Sequence, residues 1–427
     1  MILASFTETP FFEYIIAIHA CLLVVILFIR TSGFVKYMYS FFFLIALILT
    51  FQYSIPFHKA VENLAAHAIF IALFVCTPIL KIPIKIGNYL EKIHSIIHTT
   101  PHKWLHPIIA IQNFILCSFL NFGATQVVDE IFREEMKNQQ KSYAQILSRS
   151  FSLGALWTPY FGAFSVAVAY SHANPTMIII LGFLICVLTL GFWLIPRILL
   201  SKGKKSMQVG FKKEIRNLAP LLLFFTFLII SVMMGSFLTN LSVVVIITIV
   251  SVLYSMLWCI GLRKTGAFYL SLKSFIREEV PLVRHEAFLF ISIGFFSNTI
   301  IDLGWRFHLP EIGTLSIFQL FLFVVLFNLI IILIALTGVH HLVTITLITS
   351  MVNWQNLGIH PVVFALMILL AWALSAMLSP FAPSNLLISR ITKLLPIQVG
   401  LQANWIFAAI LLLGSAVYLT IINQLIL

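Results

Sequence analysis

Apolar residues run through this chain in blocks rather than in the short alternations of a soluble fold. A helix needs about 20 mostly apolar residues to cross about 30 Å of hydrocarbon. Blocks of that kind stand at 12–29, 38–55, 65–80, 176–196, 218–235, 239–259, 286–302 and 404–425. Four further apolar stretches, 107–128, 150–172, 315–352 and 360–389, are interrupted by proline or polar positions. The pattern predicts an all-α polytopic membrane protein in which those interrupted stretches are its irregular parts.

Composition agrees. Of 427 residues, 61% are apolar, only 9% are charged, and 40 are phenylalanine. A soluble domain carries about 25% charge, so lipid must cover most of this surface. The five cysteines (Cys21, Cys76, Cys117, Cys186, Cys259) lie in apolar runs without a CxxC pair, which reads as packing rather than a disulfide framework or metal site. The first apolar block ends at Arg30 without a cleavage-site pattern and reads as a retained span.

The net charge of +12 serves as an orientation code. The segment 197–216, RILLSKGKKSMQVGFKKEIR, holds seven basic residues and one Glu, and basic loops stay cytoplasmic. With that loop inside and 107–128 read as a re-entrant hairpin, 24 of the 26 Lys and Arg fall on one side; Lys59 and Arg306 are the exceptions. Reading the hairpins as full crossings sends the basic loops outside, so the hairpin reading is preferred. Both termini are then outside. Each half, 1–217 and 218–427, has three scaffold spans, a hairpin (about 107–128 and about 315–352), a broken span (150–172 and 360–389) and a last span. Five crossings per half make the second repeat inverted relative to the first, an arrangement common in secondary transporters. The basic loops need no nucleic acid to explain them.

The halves also match in sequence. ALWTPYFGAF (155–164) and AMLSPFAPSN (376–385) share a hydroxyl residue, a proline and an aromatic: Thr158-Pro159-Tyr160 and Ser379-Pro380-Phe381. The hairpin tips, LNFGATQ (120–126) and LTGVHHL (336–342), stand at nearly the same offset. Unwound backbone inside a bilayer persists where it lines a cavity. Half-helix N-termini there attract anions and free carbonyls attract cations. These four breaks predict one midplane site for an anion and a coupling ion. Proline as a simple kink is the plainer alternative.

At these residues the chain resembles the ion-transporter superfamily, and within it the large membrane subunit of TRAP transporters. Residues 136–171, MKNQQKSYAQILSRSFSLGALWTPYFGAFSVAVAYS, look like that family's Met-Lys, Tyr and LG-x-L-x-P stretch. Residues 356–391 are similar to its LGIDPVHFG…LTPP…N-L segment. Ser384-Asn385 after Pro383 also resembles the Pro-Asn pair of divalent-anion/sodium symporters. The resemblance implies an elevator-type secondary transporter of a small carboxylate, with Na⁺ or H⁺ as coupling ion and no other cofactor. It implies Asn121, Gly123 and Thr125 at the first tip and Thr158 and Pro159 at the first break. At the second tip it implies Thr337, His340 and His341, and at the second break Ser379, Pro380, Ser384 and Asn385. A small membrane subunit, an extracytoplasmic binding protein and a homodimer are partners that such carriers use. Efflux or cation/proton antiport within the same superfamily is the alternative, and a membrane enzyme acting on a lipid-linked substrate is the alternative from another class.

Single residues leave choices open. His340 and His341 would point about 100° apart on a helix; at a tip, one could carry a proton or meet a carboxylate, or simply satisfy the turn. Asp302 is an intramembrane acid or an ion-pair partner of Arg306 one turn on. The segment 129–149 reads as one charged helix, and YLEKIHSIIH (89–98) as an amphipathic interfacial arm.

Overall fold

The computed structural model describes residues 10–31, 33–89, 102–200, 219–239, 241–304, 314–352 and 354–426. Residues 90–98 of the interfacial arm, most of the basic 197–217 loop and Arg306 lie outside them. The chain runs through α1 (Pro10–Arg30), α2 (Phe34–Gln52), α3 (Phe57–Ala65), α4 (Ala68–Cys76), α5 (Lys81–Ile86), α6 (His102–Leu120), α7 (Phe122–Phe132), α8 (Gln140–Gly154), α9 (Gly162–Ser171) and α10 (Pro175–Leu200). It continues through α11 (Ala219–Leu238), α12 (Val243–Gly261), α13 (Thr265–Glu278), α14 (Arg284–Asp302), α15 (Ile317–Leu336), α16 (His341–Met351), α17 (Pro361–Leu378), α18 (Pro383–Thr392) and α19 (Ala403–Ile426). Among the described residues there is no strand. Among the described residues, seven helical stretches are long and apolar enough to span a bilayer: Glu13–Arg30, Phe57–Ile86, Pro175–Leu199, Val243–Gly261, Ile317–Leu336, Pro361–Thr392 and Gln398–Ile426. The protein is an all-α, multi-span membrane protein.

Two compact units divide the chain. One holds residues 1–82, 232–313 and 345–357. Its centre is α14, which packs on α1, α2, α3 and α4. Between lipid-embedded helices the hydrophobic effect gives little, so close packing must hold them together. Phenylalanine supplies it here: Phe42 meets Phe296 at 5.3 Å, Phe43 meets Phe295 at 5.5 Å and Phe70 meets Phe290 at 5.1 Å between ring centroids. Asp302, at the end of α14, accepts a 2.7 Å bond from Asn63 Nδ2 on α3, a partner far away in sequence.

The other unit holds residues 83–231, 314–344 and 358–427. Its core is α17, whose residues Val362–Leu378 are all buried. Around it lie α8, α9, α10, α15 and α19. A helix buried on every side has no polar face, which matches a sequence in which Ser375 is the one hydroxyl residue between Pro361 and Leu378.

The single charged helix expected over 129–149 is instead two helix ends joined by a turn at 133–139. Asp129, on the last turn of α7, is buried and pairs with the Arg133 guanidinium and, at 3.4 Å, with the Tyr143 hydroxyl. The Arg133 pair has helical spacing; the Tyr143 bond, from the first turn of α8, is the one that ties the two helix ends across the turn.

Candidate functional site

Proline sets both breaks. It has no N–H and drives the residue before it out of the helical region. The helix α8 accordingly stops at Gly154, and the chain stays irregular through Pro159 until α9 begins at Gly162. In the same way α17 stops at Leu378, Ser379 is extended (φ −68°, ψ 124°), and Pro383 opens α18 at a position suited to proline.

Each break is braced by its hydroxyl residue. Thr158 Oγ1 donates to the Ser118 carbonyl at 2.6 Å and accepts from the Tyr160 N–H at 3.4 Å. Ser379 Oγ donates to the Ala335 carbonyl at 2.7 Å and accepts from the Phe381 N–H at 3.2 Å. Ser118 and Ala335 lie in the last turns of α6 and α15, next to the tips. Carbonyls in a last turn lack the usual partner further along their own helix; the Thr158 hydroxyl supplies one to Ser118, and the Ser379 hydroxyl adds to the N–H groups of Thr337 and Gly338 that already turn back on Ala335. At the first break Trp157 Nε1 also donates to Ser118 Oγ at 3.1 Å.

Two glycines complete the pattern. A Cβ on Gly182 of α10 would lie 2.2 Å from the Leu156 carbonyl oxygen, and one on Gly400 would lie 2.6 Å from that of Leu378. Gly400 sits in a π-helical turn, Gln398–Gln402, that leads into α19. Both breaks are therefore touched by neighbouring backbone with no room for a methyl group.

The tips turn through positive φ, at Asn121 (52°) and Gly338 (98°). The arms after them differ: α7 packs back on α6, whereas α16 does not pack along α15 to a comparable extent.

The sequence-predicted residues distribute as follows. Thr158, Pro159, Ser379 and Pro380 form the breaks. Asn385 Nδ2 donates to the carbonyls of Ala376, Met377 and Ser379 at 3.1, 3.0 and 2.9 Å, and Ser384 Oγ donates to Ala376 at 3.2 Å. Asn385 thus caps the open end of α17. Asn121 is at the first tip with its Oδ1 buried and unpartnered. Gly123 follows in α7 with open space about its Cα, and Thr125 is buried 3.5 Å from Cys117 Sγ. His340 and His341 come together rather than diverging: their rings stack at 4.4 Å, and His341 meets Trp372 of α17 edge-on at 4.6 Å. The buried His341 Nε2 has no partner. Thr337 stands apart; it is exposed, and its hydroxyl donates to Ile334 of its own helix.

The breaks lie near one another. The helix α9 packs along α17, and α18 packs against α8 and α7. A polar thread joins them: Ser148 Oγ of α8 donates to Asn385 Oδ1 at 3.2 Å, Asn404 Nδ2 reaches Ser148 Oγ at 3.4 Å, and Arg149 Nε donates to Asn404 Oδ1 at 2.9 Å. Further buried hydroxyls on the helices that flank the breaks, Ser152, Ser165 and Ser375, have no partner. Neither α9 nor α18 carries a side-chain cap on its first turn. Unpaired buried polar atoms cost about 1–3 kcal/mol each, so a cluster of them around two open helix ends is suited to a polar ligand.

Sequence reasoning missed Ser118, Ser148, Arg149, Gly182, Gly400 and Asn404. The glycines had a signal: Gly182 and Gly400 are separated by nearly the same interval as Thr158 and Ser379. The others bond through backbone or along contacts that only the fold creates.

No protein-family model matches the sequence, and no curated protein matches it either. Among solved structures, the chain is similar to the crystal structure of the YdaH transporter of Alcanivorax borkumensis, described as having an unusual topology. The TM-score is 0.53 at 17% identity, over 88% of this chain and 89% of that one. At that identity the likeness shows a shared fold.

Proposed function

We propose that the protein is a secondary active transporter of a small organic anion of the carboxylate class, driven by a Na⁺ or H⁺ gradient. The observation that carries this reading is the pair of proline breaks, each braced to a hairpin tip by a hydroxyl. Buried, unpartnered polar atoms surround them. Uncapped first turns offer N–H groups and positive dipole ends to a carboxylate. His341 and Asn121 offer polar atoms that need a partner in that place. The likeness to a transporter fold points the same way.

In this reading the halves are inverted repeats, both termini are outside, and the hairpins and broken helices move together against the scaffold spans. The carrier works alone, as a homodimer, or with a small membrane subunit and a binding protein. Purified protein in proteoliposomes tests the proposal. An imposed Na⁺ or H⁺ gradient should accelerate uptake of a carboxylate from a panel of small mono- and dicarboxylates. Flux indifferent to both gradients, or none with any of them, overturns it.

A further inference from the structure

At the end of the polar thread that leaves the breaks, Arg149 and Arg197 share one tryptophan. The Arg149 guanidinium lies over the Trp193 ring at 5.3 Å and over Phe407 at 4.5 Å; the Arg197 guanidinium lies over Trp193 at 5.8 Å. Arg149 is buried at 8% exposure, and its hydrogen bonds go to neutral groups, Asn404 Oδ1 and, at 3.0 Å, the Ala403 carbonyl. Arg197 donates to His106 Nδ1 at 3.4 Å, while His106 Nε2 bonds Gln139 Oε1 at 2.9 Å, so that imidazole brings no negative charge. Among the described residues no ion pair includes either arginine. Buried charges are ordinarily paired, and here two of like sign sit on one indole. That indole is 7% exposed, and its Nε1–H has no acceptor. Two cations without a counter-charge and an indole N–H without an acceptor therefore lie together at one end of α10.

An apolar groove of about 270 Å³ continues from the same place. It runs between α10 and α19, lined by Ile185, Leu188, Phe192, Phe407, Ile410 and Gly414. Phe407 belongs to both features: one part of its surroundings is the Arg149 guanidinium, another is the groove. Leu188 and Phe192 are 57% and 64% exposed, so the groove opens on the outside of the helices, where hydrocarbon lies in a membrane. Cations at one end and an acyl-sized channel leading from them match an amphiphile with an anionic head.

We infer that Arg149, Arg197 and Trp193 bind the headgroup of an anionic phospholipid whose acyl chain lies in the groove between α10 and α19. The phosphate accepts from the guanidiniums and the indole N–H, and supplies the charge that the protein lacks there. Guanidinium geometry suits phosphate oxygens, and basic pockets between membrane helices are recognised sites for acidic headgroups. This site meets the polar thread between the breaks only through the Arg149–Asn404 bond, and it stands whether or not the transport reading holds.

Thermal unfolding of the purified full chain in detergent, titrated with dioctanoyl-phosphatidylglycerol, dioctanoyl-phosphatidylcholine and inorganic phosphate, tests the inference. The expected result is saturable stabilisation by phosphatidylglycerol, with much weaker effects of the other two. Arg197→Gln should raise the half-saturating concentration by about fivefold, as expected for one basic residue at a membrane surface, while Arg197→Lys keeps most of the effect. Gly414→Phe, which fills the groove, should weaken the lipid without creating a phosphate response. Phosphate acting as well as the lipid reduces the site to one for a free ion and overturns the assignment, as does phosphatidylcholine acting equally. Wild-type titration by Arg197→Gln and Gly414→Phe overturns it too. Native mass spectrometry of the unmutated protein is an independent readout: one retained phosphatidylglycerol, favoured over phosphatidylcholine, supports the site, and no preference removes it.

Discussion

Thr158 gives its hydroxyl proton to the carbonyl of Ser118, and Ser379 repeats that bond to Ala335 221 positions later in the chain. Both acceptors are at buried helix ends; removing the donor orphans the Ser118 carbonyl, whereas Ala335 keeps the N–H groups of Thr337 and Gly338, so Ser379→Ala falls at the lower end of the range that follows. Thr158→Val and Ser379→Ala should each destabilise the protein by about 1–3 kcal/mol, and Thr158→Ser by much less. Unfolding in detergent, with the three variants side by side, checks this. Equal stability of Thr158→Val and wild type would show that the brace is idle.

The glycines at the breaks make a second prediction. Gly182→Ala and Gly400→Ala each place a methyl group against a backbone oxygen, at 2.2 and 2.6 Å if nothing moved. Backbone must shift, at a typical overpacking cost of about 1–3 kcal/mol. Gly414→Ala, with open space at its Cα, is the control and should be neutral. Melting temperatures of the three variants separate a real close approach from a general dislike of alanine.

The tips respond differently to substitution. Gly338 holds φ at 98°, a conformation an L side chain resists, so Gly338→Ala should cost on the order of 1–2 kcal/mol. Asn121, at 52°, already tolerates positive φ, and Asn121→Gly should fold at least as well. A melting curve in which both changes behave alike would contradict the assigned turn geometry.

His360 predicts a pH dependence. Its Nδ1 accepts from the Val362 N–H at 3.2 Å and so caps α17 from outside the span. Burial holds its pKa below the ordinary imidazole value. A depressed folded pKa means that the unfolded chain binds the proton first. The cap's contribution is therefore present above the ordinary value of about 6.5 and is lost as pH falls from there through the lower folded value. Stability measured between about pH 8 and about pH 5 should fall more for wild type than for His360→Asn, which caps without titrating.

Much of this was legible in the sequence because lipid imposes a simple rule. Apolar runs of span length become helices, and α1, α10, α12 and α19 fall within a few residues of the runs that predict them. The proline breaks were legible for the same reason, since Pro159 and Pro380 act locally. Tertiary pairings were not. Nothing near Thr158 in sequence names Ser118 as its acceptor, and a glycine in an apolar run does not announce what presses on it. The charged stretch 129–149 misled because its composition favours a helix, while the chain turns at 133–139 and Tyr143 closes back on the buried Asp129, a contact that composition does not show. Arg149 stands at the end of that charged stretch in sequence, yet the fold takes it inside.

The uncapped first turns of α9 and α18 make the protein its own moisture gauge. Amides of Gly162, Ala163, Ser384 and Asn385 have no side-chain cap to release, so their exchange with deuterated solvent is set by access alone. Water reaching the breaks would label them within the fastest time points, while the fully buried interior of α17 a few residues away stays protonated. A bound anion on those same amides would erase the label without any change in helix content.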